Sequence, residues 1–275
     1  MPETLRIQDH SVSYQIVGKG YPLVLLHGFT ETQALWNQCV QKLQKYNLKI
    51  ITLDLPGHGD SDFPASLNNF DNLASWLREV LTALGIDSFY LAGHSMGGYL
   101  AFAFAAKYPE HLSGFALVHS TPFADSDEKK IQRDRNVESI EKYGNQPFIT
   151  ALQNNLYAEG FSDQNPSLVK ESFQRGINTA PETLLRCLKM MRDRNDYQSW
   201  IKTASLPITA ILGKGDLIIP WQQVSTAVQE ATKAQVITLA DIGHMGMIEN
   251  PAEITQSLLA GLSFSLPDIF KTENI

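Results

Sequence analysis

Six short runs of almost uninterrupted apolar residues recur along the chain: Leu23–Leu26, Ile50–Leu53, Phe89–Ala92, Phe115–Val118, Ile208–Leu212 and Val236–Leu239. A strand apolar on both faces must be covered on both sides, which is the situation of a parallel sheet between helices. Ahead of them, Val12-Ser-Tyr14-Gln-Ile16 alternates apolar and polar residues, as a half-buried strand does, and Lys19-Gly20 reads as the turn that follows. Between the runs the period changes. From Asn72 to Leu84 the apolar residues Leu73, Trp76, Leu77, Val80, Leu81 and Leu84 fall on one helical stripe, and Gly85 stands where a helix-ending glycine belongs. A second helix is predicted over Met96–Lys107, stopping before Pro109, because a residue preceding proline is driven out of the helical region. Strand alternating with helix predicts an α/β protein, with a mostly parallel central sheet flanked by helices and right-handed crossovers.

The alternation breaks over residues 123–204. This stretch is strongly charged, has no strand run, and shows helical patterns over Lys129–Lys142, Pro147–Tyr157, Pro166–Arg175 and Pro181–Arg192. It is too long for a loop inside a compact domain. The expectation is a helical cap, residues 123–204, inserted into a core formed by residues 1–122 and 205–275. The formal charge of −7, with histidines neutral, has a location. Residues 123–204 hold twelve basic and twelve acidic residues, so the whole acidic excess belongs to the predicted core. That balance argues against a nucleic-acid binder and against adsorption to anionic membranes. Cys39 and Cys187 are far apart and fit no zinc spacing, so both read as free thiols of a reducing compartment. The first residues lack the apolar centre of a signal peptide, and no apolar run approaches the roughly 18 residues of a membrane span. The expectation is a cytoplasmic protein. The stretch Ser263–Ile275 is a short extension that does not read as a partner-binding tail.

The candidate chemistry starts at Gly93-His94-Ser95-Met96-Gly97-Gly98, between a predicted strand and a predicted helix. Glycine two positions either side of a serine is what a tight, strained strand–turn–helix needs, since larger side chains there would meet the crossing backbone. The helix that begins at this turn points its positive end at developing negative charge. A serine needs a base. Of the seven histidines, His10 and His111 read as solvated, and His94 is expected to face away from the serine on so tight a turn. His244 lies in a glycine-flexed loop directly after the last predicted strand, within reach of the carboxyl edge where open α/β sheets place ligands. The base needs an orienting carboxylate. Asp216, just beyond the strand Ile208–Leu212, is preferred to Asp241, which precedes His244 too closely in the same loop to support its ring from behind. His27-Gly28-Phe29 follows the first buried strand, and the backbone N–H groups of Phe29 and Met96 are candidate oxyanion donors. His27 reads as a brace for this loop, and Gly57-His58-Gly59-Asp60-Ser61 as a hydrogen-bonded turn.

With these motifs in order, the chain resembles the α/β-hydrolase fold superfamily over nearly its whole length. The resemblance rests on His27-Gly28-Phe29, Asp54–Ser61, Gly93–Gly98, Gly213-Lys-Gly-Asp216 and Gly243-His244. It implies Ser95 as nucleophile, His244 as general base and then acid, Asp216 as its partner, and the amides of Phe29 and Met96 as oxyanion hole. It also implies cap helices inserted after the strand Phe115–Val118. Haloalkane dehalogenases and epoxide hydrolases of this superfamily carry aspartate where this chain has Ser95, and His94 and Met96 depart from the proline iminopeptidase elbow. The Gly-His-Ser-Met-Gly-Gly form is similar to small carboxylesterases, to carbon–carbon bond hydrolases and to the menaquinone-pathway synthase group.

The leading expectation is a serine hydrolase cleaving a carboxylic ester of a small, mainly apolar substrate through an acyl-enzyme, with no metal and no organic cofactor. The carbon–carbon hydrolase and synthase-like lyase are alternatives using the same triad, and a ligand receptor retaining the triad is a third. Phe29, Phe123, Tyr157, Met191, Trp221 and Met245 are the expected pocket walls. Arg186, Arg192 and Arg194 are the cap cations that could clamp a charged substrate, an outcome that would favour the synthase-like alternative.

Overall fold

The computed structural model describes residues 2–270. Eight strands form one sheet: β1 (Glu3–Ile7), β2 (His10–Val17), β3 (Tyr21–Leu26), β4 (Leu48–Leu53), β5 (Phe89–His94), β6 (Leu112–Val118), β7 (Ile208–Gly213) and β8 (Ala234–Leu239). The helices are α1 (Asn37–Leu43), α2 (Phe70–Ala83), α3 (Met96–Lys107), α4 (Asp127–Tyr143), α5 (Asn145–Gln153), α6 (Phe161–Gln164), α7 (Pro166–Asn178), α8 (Pro181–Arg192), α9 (Gln198–Thr203), α10 (Trp221–Gln229), α11 (Gly246–Glu249) and α12 (Pro251–Ser265). None of the described helices is long and apolar enough to cross a membrane.

The strand order is β1-β2-β4-β3-β5-β6-β7-β8. β1 and β2 run antiparallel to their neighbours, and every pairing from β4 to β8 is parallel. Each predicted apolar run is a strand, and all but the half-buried edge strand β8 are buried on both faces as a parallel sheet requires. Alternate residues of one strand serve different layers. Val24 and Leu26 pack with α2 and α3, whereas Leu23 and Leu25 pack with α1 and α12. β3 lies between β4 and β5, so the sheet order reverses beside it. The loops leaving β3 and β5 diverge there and leave a crevice at the carboxyl edge.

Local signals set the helix ends. Asn69 accepts from the N–H of Asn72 at 2.8 Å to cap α2, and Ser126 caps α4 through the N–H of Lys129. Pro166, Pro181 and Pro251 occupy the first helical positions of α7, α8 and α12. Two expectations shift. The predicted helix over Pro147–Tyr157 runs from Asn145 and stops at Gln153, so Leu156 and Tyr157 belong to the connection that follows. β1 is absent from the sequence reading because its short Glu-Thr-Leu-Arg-Ile run is mostly exposed and owes its form to pairing with β2, Glu3 opposite Tyr14.

Helices α4–α9 are inserted between β6 and β7. They rest on loops at the carboxyl edge of the sheet. Arg186 of α8 donates to the carbonyls of Phe63, Pro64 and Leu67, and the N–H of Tyr197 donates to Pro122. Ser172 and Arg175 of α7 both bind the buried carboxylate of Glu31. The part of the predicted tail beyond residue 270 lies outside the described residues.

Candidate active site

Ser95 joins β5 to α3 with φ 48° and ψ −113°, a conformation that non-glycine residues rarely hold. The surroundings impose it. The Ser95 N–H donates to Val118 at 3.0 Å, and its carbonyl accepts from the Ser120 hydroxyl at 2.7 Å. The neighbouring glycines leave the space that the turn needs. A Cβ at Gly97 would stand 2.6 Å from the His27 carbonyl oxygen, and one at Gly93 would strike the Gly97 carbonyl. The His27–Phe29 loop passes alongside: a Cβ on Gly28 would lie 3.2 Å from that of Ser95. Met96 opens α3, so no helix carbonyl can accept its N–H. The N–H of Phe29 has no protein acceptor among the described residues. These are the two amides singled out by the sequence, and both belong to the segments that meet at Ser95.

His244 and Asp216 come together. His244 Nδ1 lies 2.8 Å from Asp216 Oδ2, and both side chains are buried. Asp216 Oδ1 accepts from the N–H groups of Ile218 and Ile219 at 2.8 and 2.9 Å, which fixes the carboxylate plane. Burial alone would push this carboxyl up. The charge and hydrogen bond of His244, the nearby His119 and the Ile219 N–H outweigh it and hold the group below the usual carboxylate range. Asp241, the rival carboxylate, is exposed.

Ser95 and His244 line one cavity of about 80 Å³. Phe29, Leu152, Leu156, Met191, Ile218 and Met245 supply its apolar wall, and Glu31 and Arg133 also reach it. Of the expected pocket residues, Phe29, Met191 and Met245 are therefore placed together beside the serine. The other three are not. Phe123 lines a neighbouring cavity of about 490 Å³ that also borders Asp216. Tyr157 is buried and stacks on Phe161 with ring centroids 5.4 Å apart. It lies outside the lining because α5 ends before it, which leaves Leu156 as the residue facing the cavity. Trp221 starts α10, beneath the ammonium of Lys214, and does not reach the lining. Arg186 is spent on loop carbonyls, Arg192 pairs with Asp134 and Asp193, and Arg194 pairs with Asp125.

The buried histidines divide into braces and bystanders. His27 bridges loops, accepting from the N–H of Leu55 at 2.8 Å while its other ring nitrogen meets the Gly28 carbonyl at 2.7 Å. Burial pushes its pKa well down, so it remains a neutral brace. His94 departs from expectation. Its ring lines the cavity, lies 4.9 Å from the His244 ring, and places Nε2 3.0 Å from the His244 carbonyl. The turn directs it under the histidine loop instead of away from the site. Two further residues had no role in the sequence reading. His119, directly after β6, accepts from the N–H of Gly213 at 3.2 Å and lies 3.7 Å from Asp216. Its position at a strand's carboxyl end was the available signal. Glu249 gathers three N–H groups, those of Ala158, Gly243 and Met245, at 2.9–3.0 Å, and so grips the loop on both sides of His244. Nothing in its local pattern pointed there.

The family model described as alpha/beta hydrolase fold matches residues 21–251. The chain belongs to the alpha/beta hydrolase fold family. Its relatives in that family include the pimeloyl-[acyl-carrier protein] methyl ester esterase of Nitrosomonas europaea, 25% identical over 88% of this chain and 96% of that one. The dihydrolipoyllysine-residue acetyltransferase component of the acetoin cleaving system of Pseudomonas putida is 29% identical over 88% of this chain. This chain spans only 64% of that relative's length. Among solved structures, a thermophilic esterase from Thermogutta terrifontis, determined with malate bound, superimposes with a TM-score of 0.89 at 25% identity, covering 96% of this chain and 99% of its own. As a member of this family with esterase relatives, the protein is a hydrolase.

Proposed function

We propose that the protein is a carboxylic-ester hydrolase acting through an acyl-enzyme on Ser95. The observation that carries this reading is the buried His244–Asp216 pair, 2.8 Å apart, whose histidine lines one small cavity with a serine held in a strained turn. The Ser95 hydroxyl attacks the ester carbonyl as His244 Nε2 takes its proton, and Asp216 holds the proton on Nδ1 and faces the imidazolium that forms. The tetrahedral oxyanion is received by the N–H groups of Phe29 and Met96. The imidazolium then protonates the leaving alcohol. Water enters, gives a proton to His244, attacks the acyl carbon and releases the acid with Ser95 restored.

Residues 123–204 act as a cap on a core of residues 1–122 and 205–275. Arg133, Leu152, Leu156 and Met191 are its side chains at the cavity, so the cap sets the shape of the accepted ester. The esterase names of the Nitrosomonas and Thermogutta relatives support the reaction class. Cys39 and Cys187 are buried free thiols, which fits a reducing cytoplasm.

A fluorophosphonate probe tests the reading. It should label the wild-type protein at Ser95 and leave Ser95→Ala unlabelled, and wild type should hydrolyse short-chain p-nitrophenyl esters. Absence of both labelling and ester turnover refutes the proposal. Cleavage of a vinylogous diketone in place of every ester would assign the same triad to carbon–carbon bond hydrolysis.

A further inference from the structure

We propose that Glu31 is a positioning residue for the oxyanion hole: clasped by Ser172 and Arg175 of α7, it ties the loop through Phe29 to the cap and holds the Phe29 N–H where the developing oxyanion needs it. The inference rests on the ester-hydrolase reading and deepens it, because it makes the seated cap part of the catalytic apparatus.

The loop that carries the Phe29 N–H is weakly supported from within. Thr30 holds φ 66°, a left-handed conformation that is costly for a side chain branched at Cβ. The Glu31 N–H reaches the Gly28 carbonyl only at 3.4 Å. The core anchors the loop at its two ends. His27 bridges Leu55 and the Gly28 carbonyl, and the Gln33 N–H donates to Asp54 Oδ1 at 2.7 Å. Between these anchors the loop leans on the cap, one residue after another. The Phe29 ring lies 6.1 Å from that of Phe148 in α5. A Cβ on Gly176 would stand 3.6 Å from that of Thr30, so the glycine lets α7 approach. Glu31 Oε1 accepts from the Ser172 hydroxyl at 2.6 Å, and Oε2 pairs with Arg175 Nε. Ser172, Arg175 and Gly176 are three and four residues apart, so one face of α7 makes all three contacts.

The place of the clasp ties it to the reaction. Glu31 lines the Ser95 cavity two residues after Phe29, and at Gly28 the same loop comes so near that a Cβ would lie 3.2 Å from that of Ser95. The carboxylate is not free to react, since both its oxygens are engaged by the cap and its side chain is 3% exposed. Packing against α7 would need only an apolar side chain at this position, and burying a charge is costly. What the charge adds is direction: it demands donors at two places on one helix and fixes a single register of the loop against α7. Without Arg175 the buried charge is unpaired and the loop must shift to hydrate it, carrying Phe29 along.

The test separates transition-state from ground-state binding. The substrate is p-nitrophenyl butyrate. The probe is 1,1,1-trifluoro-2-hexanone, whose adduct with the Ser95 hydroxyl puts an oxyanion in the hole as the serine proton passes to His244. In Glu31→Gln, kcat should fall about tenfold or more, part of the roughly 10²–10³ that one oxyanion donor supplies. The trifluoroketone Ki should rise by a similar factor, while KM stays within about twofold. Ser172→Ala should act in the same sense more weakly, and Arg175→Lys should keep more activity than Arg175→Met. Rates are taken per active site titrated with fluorophosphonate, and if Glu31→Gln does not fold, Ser172→Ala decides. Unchanged kcat and Ki overturn the proposal, as does a fall in kcat with Ki unmoved, the mark of a merely structural effect. A rise in KM alone would assign Glu31 to substrate binding and overturn it too. Hydrogen exchange reads the clasp without turnover: in Arg175→Met it should quicken over residues 27–33 and hold over residues 243–247. That result supports the tie between loop and cap even if the wild type cleaves no ester. Unchanged exchange over residues 27–33 refutes it even if esters are cleaved.

Discussion

Replacing Asp216 by asparagine should cost the proposed enzyme about four orders of magnitude in kcat while leaving it folded. Asp216 Oδ1 accepts two buried N–H groups, from Ile218 and Ile219, and those donors require an oxygen. The asparagine carbonyl must therefore stay where Oδ1 is, and its NH2 group must point at His244 Nδ1, where Oδ2 lies at 2.8 Å in the wild type. Two donors cannot share that contact. His244 then places its proton on Nε2 and offers Nδ1 as the acceptor. The nitrogen that should take the Ser95 proton is already protonated. Fixing the wrong tautomer in a serine–histidine–aspartate site lowers kcat about 10⁴-fold, or about 5 kcal/mol of transition-state stabilisation. The fold should tolerate the change, because shape and both backbone bonds persist. The assay is kcat on p-nitrophenyl butyrate, with a thermal melt of each variant. A loss under tenfold in a fully folded Asp216→Asn protein refutes the reasoning. A larger loss from Asp241→Asn would transfer the role to that residue.

Three more outcomes follow from the geometry. Glu249→Gln keeps one acceptor oxygen for N–H groups that now bind two, so at least one buried donor near His244 loses its partner. Unfolding free energy should fall by about 1–3 kcal/mol and kcat should fall with it; urea titration and turnover showing neither loss would exclude Glu249 as a support for the loop. Burial lowers the pKa of His58 and His119 to about 4, from an ordinary 6.5. Between those values the unfolded chain binds protons that the folded one refuses, so stability should be full above pH 6.5 and fall as pH drops toward 4. Each shift of roughly 2.5 units corresponds to an order of 3 kcal/mol, and a urea-unfolding free energy flat across this window would contradict the neutral, buried state of these rings. Met191→Ala should widen the cavity and move preference toward longer acyl chains at a stability cost of about 2–5 kcal/mol, whereas Trp221→Ala should leave the preference unchanged. The reverse pattern across a p-nitrophenyl ester series would misplace the pocket.

Much of this protein was legible without coordinates because it is written in short-range physics. A strand covered on both faces must be apolar throughout, and each of the six runs is a strand of the sheet. The elbow at Ser95 is legible in part for a similar reason: its own backbone collides with itself unless Gly93 is there, whereas Gly97 is required by the distant carbonyls of Leu26 and His27. Asp216 and His244 could be singled out by their places after β7 and β8, since chain order delivers such residues to one edge. Their 2.8 Å contact is a different matter, decided by β7 pairing with β8 and by Glu249 holding the histidine loop. Which cap residues face the serine was likewise beyond the sequence. Tyr157 and Leu156 are adjacent and both apolar, and the early end of α5 sends one to Phe161 and the other to the cavity. Periodicity and backbone sterics act between near neighbours and can be read in order, whereas burial, pairing and local charge balance arise between residues far apart in sequence and exist only once the chain has folded.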